Sequence, residues 1–221
     1  MRSLGVSVAV FGLAFLSCAQ NARFLPPVSL DFFVESPRED PWNAKIKNWQ
    51  SRNELDQLAT AQRPPKGGQL GEDYQNFELE MRRKIAADTV AWIQDESRRH
   101  YIPDGEVDHW ATLSEVIAQD GDDCDGLDLM TFDLLRKLGF SKDEIFRSIV
   151  VDKETGQHHM VTLWFENADR RDPWILDPTG VVTNRLVRLS QVPKWSPIEM
   201  FDEARHYRVE ESPNASAVAQ R

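Results

Sequence analysis

Residues 119–165 read QDGDDCDGLDLMTFDLLRKLGFSKDEIFRSIVVDKETGQHHMVTLWF, and the period of their apolar positions changes partway along. Leu127, Met130, Leu134, Leu135 and Leu138 recur at helical spacing, and Gly139 stands where a helix commonly ends. Beyond it the pattern alternates: residues 145–151 and 159–165 read as strands around a turn at 152–157, with a third short strand at 174–176. A helix-rich half followed by an antiparallel sheet predicts an α+β fold.

The segments before this stretch extend the helical half. Thr112-Leu113-Ser114-Glu115 has the form of a capping box, and Asp120-Gly121 closes the short helix it starts. A longer helix is predicted over residues 72–99, with Phe77, Met81, Ile85, Val90, Trp92 and Ile93 as its apolar stripe. An earlier one over 41–61 carries Trp42, Ile46, Trp49, Leu55 and Leu58 and stops at Pro64-Pro65-Lys66-Gly67-Gly68. The proline-bearing residues 20–41 form an extended lead-in. Residues 42–208 make one domain with its core at 85–180, and the small polar tail 209–221 is expected to be disordered.

The chain has 221 residues, 41% hydrophobic and 28% charged, with a formal net charge of -10. That composition belongs to globular proteins, and the acidity, with no basic run longer than Arg82-Arg83-Lys84, argues against a nucleic-acid partner. Residues 1–19 carry an early arginine and an apolar run of signal-peptide length, too short to span a bilayer. Two processing routes fit: cleavage after Ala19, or lipidation of Cys18 with anchoring to a membrane. Either places the protein in a periplasmic or extracellular space, and neither leaves Cys18 able to pair with Cys124.

Cys124 is then a free thiol at the start of a helix, with histidines and a carboxylate on the strands that follow. Bringing an ordinary thiol from about 8.5 to below 7 takes about 2 kcal/mol. An exposed helix N-terminus supplies about 0.3–1 kcal/mol. Asp122, Asp123 and Asp125 oppose ionisation, so a histidine must activate this sulfur. If the strands at 159–165 and 174–177 form a hairpin centred on Ala168, His159 stands directly opposite Asp177, close enough for a hydrogen bond. His158, on the other face, is the rival; inert burial of the cysteine is the plain alternative. The acidic cluster fails the EF-hand test, because aligning Gly126 as the loop glycine puts Phe132 at the bidentate glutamate position. Zinc-ligand spacing is also lacking.

Asp108-His109-Trp110-Ala111-Thr112-Leu113-Ser114-Glu115, Gly121-Asp122-Asp123-Cys124-Asp125, His159-Met160-Val161 and Leu176-Asp177-Pro178-Thr179 together resemble, in order and spacing, the bacterial transglutaminase-like cysteine proteinases. The resemblance implies a papain-like fold and a protein or peptide substrate. It makes Cys124 the nucleophile, His159 the general base and acid, and Asp177 the orienting residue, acting through a thioester. Gln119, five residues before the nucleophile, is a candidate second oxyanion donor or simply a polar helix end, and Trp110 a candidate wall of the site or a buried core residue. In some members of the family the second acid after the cysteine helps bind calcium; that position here is Gly126, which puts calcium at Asp122, Asp123 and Asp125 in doubt. No other cofactor is implied. The reading that competes with an enzyme is a catalytically silent binding or scaffold module.

Overall fold

The structure, a computed structural model, describes residues 37, 39–60, 67–106, 109–166 and 171–210. The export segment with Cys18, most of the lead-in, Asp108 and the tail from 211 lie outside the described residues. Contacts divide the chain into two units, residues 1–65 and 66–221. Helix α1 (Asn43–Thr60) belongs to the first. The second holds α2 (Gln69–His100), α3 (Leu113–Ala118), α4 (Cys124–Lys137) and the strands β1 (Ile145–Asp152), β2 (His158–Trp164), β3 (Trp174–Leu176), β4 (Val187–Arg188), β5 (Trp195–Phe201) and β6 (His206–Arg208).

The six strands form one antiparallel sheet in the order β4-β3-β2-β1-β5-β6. Helix α4 packs on β2 and β1, and α2 packs on α4 and β3. Strand alternation divides the sheet's side chains between two apolar clusters. On the helix side Val90, Phe132, Leu135, Ile145, Trp164 and Leu176 close together; on the other, Phe146, Val161, Leu163, Ile175 and Trp195 do so.

Local signals set the helix ends. Thr112 Oγ1 accepts from the Glu115 N–H at 3.4 Å while Glu115 Oε2 accepts from the Thr112 N–H at 2.7 Å, completing the predicted capping box. Asp120 at φ 62° and Gly121 turn the chain from α3 to α4; a Cβ on Gly121 would fall on the His100 carbonyl. The Asp123 carboxylate caps α4 by accepting from the Asp125 N–H at 3.0 Å. Gly139 at φ 94° follows its C-terminus.

Three expectations are corrected. The β2–β3 ladder pairs Thr162 with Leu176 and Trp164 with Trp174, a register that brings Asp177 level with Val161, not His159; Ala168, the expected centre, lies outside the described residues. The shift is two residues, so the alternation of faces survives it. In α2 the buried stripe is Ala86, Thr89, Val90, Ile93, Gln94 and Ser97, whereas Phe77, Met81 and Trp92 are exposed. Strands β4, β5 and β6 were not anticipated. Pro197 argues against a strand over 195–201, and the sheet accommodates it where the β1–β5 register shifts between Ile149 and Val150.

Candidate functional site

Cys124 is the first residue of α4, where the opening N–H groups of the helix have no partner within it. Because β3 stops pairing at Thr162, the edge of β2 beyond it is open, and the Met160 N–H donates to the Cys124 sulfur there. Cys124, His158, His159, Trp110 and the carboxylates of Asp104, Asp123 and Asp125 line one cleft of about 400 Å³.

His159 is buried and its Nε2 lies 2.9 Å from Oδ1 of the fully buried Asp177. The two are diagonal neighbours across the ladder, a separation that an imidazole and a carboxylate can bridge. With Nε2 occupied, Nδ1 is the ring nitrogen left to exchange a proton. Asp177 is held on every side. Its Oδ1 also accepts from the Thr179 N–H at 3.0 Å, and its Oδ2 accepts from the N–H groups of Val182 at 2.6 Å and Thr183 at 3.0 Å. Burial opposes its ionisation, but the His159 hydrogen bond and charge, with the Thr183 and Thr179 N–H groups, hold its carboxyl below the usual range. The Trp195 ring lies 6.2 Å from the imidazole.

The thiol sits in an anionic setting. Burial first, then the carboxylates of Asp123, Asp125 and Asp128, push Cys124 up to about 12, with the Met160 N–H the opposing influence. Burial and these carboxylates alike favour the neutral thiol. Behind it, the fully buried Asp128 accepts from Arg147 Nε at 2.8 Å and from Thr162 Oγ1 at 2.7 Å. Arg147 also donates to the Asp125 carbonyl at 2.6 Å, tying the first turn of α4 to β1.

Ligand atoms of Asp122, Asp123 and Asp125 lie within 4.8 Å of one another. Among the described residues, Asp122 Oδ2 and Asp125 Oδ1 are buried without a hydrogen-bond partner. Burial first, then Asp123 and Asp122, push the Asp125 carboxyl up to about 8. Buried oxygens without donors fit a hard cation such as calcium. Gly126 bears on this: a Cβ there would fall on the Asp122 carboxylate, so the glycine leaves room for that side chain.

The cleft thus gathers Cys124, His159 and Trp110, with Asp177 behind the histidine. His158 is exposed on the cleft, and the Asp177 carboxylate meets His159. Gln119 is exposed at the C-cap of α3 and is not part of the cleft's lining. Sequence reasoning missed Gln94, Asp128 and Arg147. Gln94 continues the buried stripe of α2 as a polar member, the one signal that could have found it.

No protein-family model matches this chain, and no curated protein matches it. Solved structures do. LapG of Legionella pneumophila in an EGTA-treated form aligns at 17% identity with a TM-score of 0.51, covering 72% of this chain and 86% of that one. A second LapG structure aligns at 16% identity and 0.48, covering 75% and 91%; a calcium-bound one aligns at 17% and 0.47, covering 73% and 91%. The first of these likenesses establishes the fold: α+β, of the transglutaminase-like type.

Proposed function

We propose that this chain is a cysteine peptidase or amide-acyl transferase in which Cys124 is the nucleophile, His159 the general base and acid, and Asp177 its orienting partner. The observation that carries the reading is the buried His159–Asp177 hydrogen bond at 2.9 Å beside a cleft that His159 shares with a free thiol. Together they form a nucleophile, a base and a group that orients the base.

The steps follow from the protonation states. As the Cys124 sulfur bonds to the substrate carbonyl carbon, its proton passes to His159 Nδ1. The resulting imidazolium is stabilised by the Asp177 carboxylate through Nε2–H. The Cys124 backbone N–H faces the developing oxyanion. Collapse breaks the C–N bond, and the Nδ1 proton leaves with the amine. Water, deprotonated at Nδ1, then attacks the thioester; the S–C bond breaks and the proton returns to sulfur. A substrate amine in place of water gives transamidation.

Asp122, Asp123 and Asp125 are the residues that would hold calcium. Its charge would offset the carboxylates that disfavour the thiolate. The substrate class is protein or peptide, in keeping with an open cleft bearing Trp110, Ile149 and Ile198. The N-terminal segment supports export, with Cys18 as the lipidation site or Ala19 as the last residue removed; intact mass of the mature protein separates the two. Among the described residues no helix is long and apolar enough to cross a membrane.

The test is digestion of a peptide library by wild type and Cys124→Ser, with and without an added primary amine, read by mass spectrometry. New termini or amine adducts made by wild type alone support the reading. Identical product sets from the two proteins overturn it.

A further inference from the structure

Gln94 lies thirty residues before Cys124 in sequence, yet its amide reaches the loop that holds Asp177. The side chain is buried on the sheet-facing side of α2, and its Nε2 donates to the carbonyls of Asp177 and Thr183, each at 2.9 Å. An amide nitrogen carries two protons, so both are used. The two acceptors are the ends of a loop whose interior surrounds the Asp177 carboxylate: Thr179 N–H donates to Oδ1, and Val182 and Thr183 N–H donate to Oδ2. Gly180, at φ 83°, supplies the left-handed turn that folds these N–H groups inward, and the space a Cβ would fill there is 3.7–3.9 Å from the Gln94 amide. The helix therefore fastens both ends of the cradle whose content, Asp177, fixes the Nε2 side of His159.

We infer that Gln94 is a positioning residue for the His159–Asp177 pair, acting through the 177–183 loop without touching substrate. This rests on the proposed triad. An ordinary buried glutamine would contribute stability alone; this one spans two carbonyls whose separation determines whether Val182 and Thr183 can both reach Oδ2. Without the clamp the loop loses the fixed spacing of its ends, the carboxylate gains rotational freedom, and the imidazole loses its defined tautomer and orientation. The backbone itself stays paired through β3, so the fold survives.

The experiment uses the full chain as Gln94→Met, which keeps length and volume but deletes both donors, and Gln94→Glu, which places a carboxylate against the two carbonyls. Two readouts separate positioning from stability: the imidazole Nε2–H resonance of His159, and the rate of Cys124 alkylation by iodoacetamide at neutral pH. With near-UV circular dichroism unchanged, the Nε2–H resonance should broaden by exchange with water and alkylation should slow at least about five-fold, towards the value of His159→Ala. A normal resonance and rate in either folded variant overturn the proposal, even if melting temperature falls. If His159→Ala itself alkylates like wild type, the triad is wrong and this inference falls with it; if His159→Ala is slow while both Gln94 variants match wild type, only the inference falls. A further check needs no variant: the Val182 and Thr183 amides of the wild type should be protected from hydrogen exchange, and exchange at open-loop rates contradicts the clamp.

Discussion

His159 Nε2 lies 2.9 Å from Asp177 Oδ1 although the two residues are offset by two positions along the β2–β3 ladder. The bond depends on side-chain reach and on the loop that presents Asp177, more than on direct cross-strand opposition. Replacing Asp177 by Asn keeps the shape but turns an acceptor of four or more hydrogen bonds into a group that must donate some of them. Turnover of a peptide identified by library digestion should fall on the order of 10²–10⁴-fold, with KM little changed. Near-normal kcat would remove Asp177 from the site.

His158 and His159 are adjacent, and the roles assigned to them differ. His158→Ala should leave turnover unchanged, since its ring is exposed and the buried carboxylate belongs to His159. His159→Ala should abolish it.

The Asp128–Arg147 pair is buried, and Arg147 also holds the Asp125 carbonyl. Asp128→Ala leaves a guanidinium without its carboxylate, a change that typically costs about 3–5 kcal/mol. Urea denaturation should show that loss. A midpoint close to wild type would mean that Arg147 finds solvent.

Acidic crowding around Cys124 gives stability a definite pH dependence. The Asp125 carboxyl stands at about 8 in the folded chain. An unfolded aspartate titrates near 3.9. Between these values the folded chain binds more protons, so this group makes unfolding free energy fall as pH rises towards about 8. Asp177 acts in the opposite sense: its lowered folded value gives stability that is present above about 3.9 and is lost as pH falls through that lower value. In EDTA, stability should therefore decline from mildly acidic to neutral pH. Calcium should offset the decline and raise the melting temperature, and Asp122→Asn and Asp125→Asn should weaken that response. A melting temperature indifferent to calcium would count against a cation at this cluster.

Much of the central architecture was legible because the switch from helical to alternating period at Gly139 is a direct imprint of packing. Helix α4, strands β1 to β3 and the capping box at Thr112 follow from it and from local hydrogen-bond chemistry. The hairpin register did not, for a physical reason: a two-residue slip returns every side chain to its original face, so the apolar pattern is the same in both registers. The pairing of His159 with Asp177 was anticipated, the diagonal geometry was not. Strand β5 was hidden by Pro197, and β6 is three exposed residues. Gln94, Asp128 and Arg147 were missed because polar residues among apolar ones read as surface until their buried partners are known.

The central claim is that His159 governs the chemistry of Cys124, and alkylation tests it without knowledge of the substrate. In EDTA, the rate of Cys124 modification by iodoacetamide should be followed from about pH 4 to about pH 9 in wild type and in His159→Ala. Burial and the surrounding carboxylates push the Cys124 thiol up to about 12, so without an imidazole to take its proton His159→Ala should react very slowly until high pH. Wild type should react at least about ten-fold faster at neutral pH, because the imidazole takes the thiol proton. Coincident profiles for the two proteins would contradict the account.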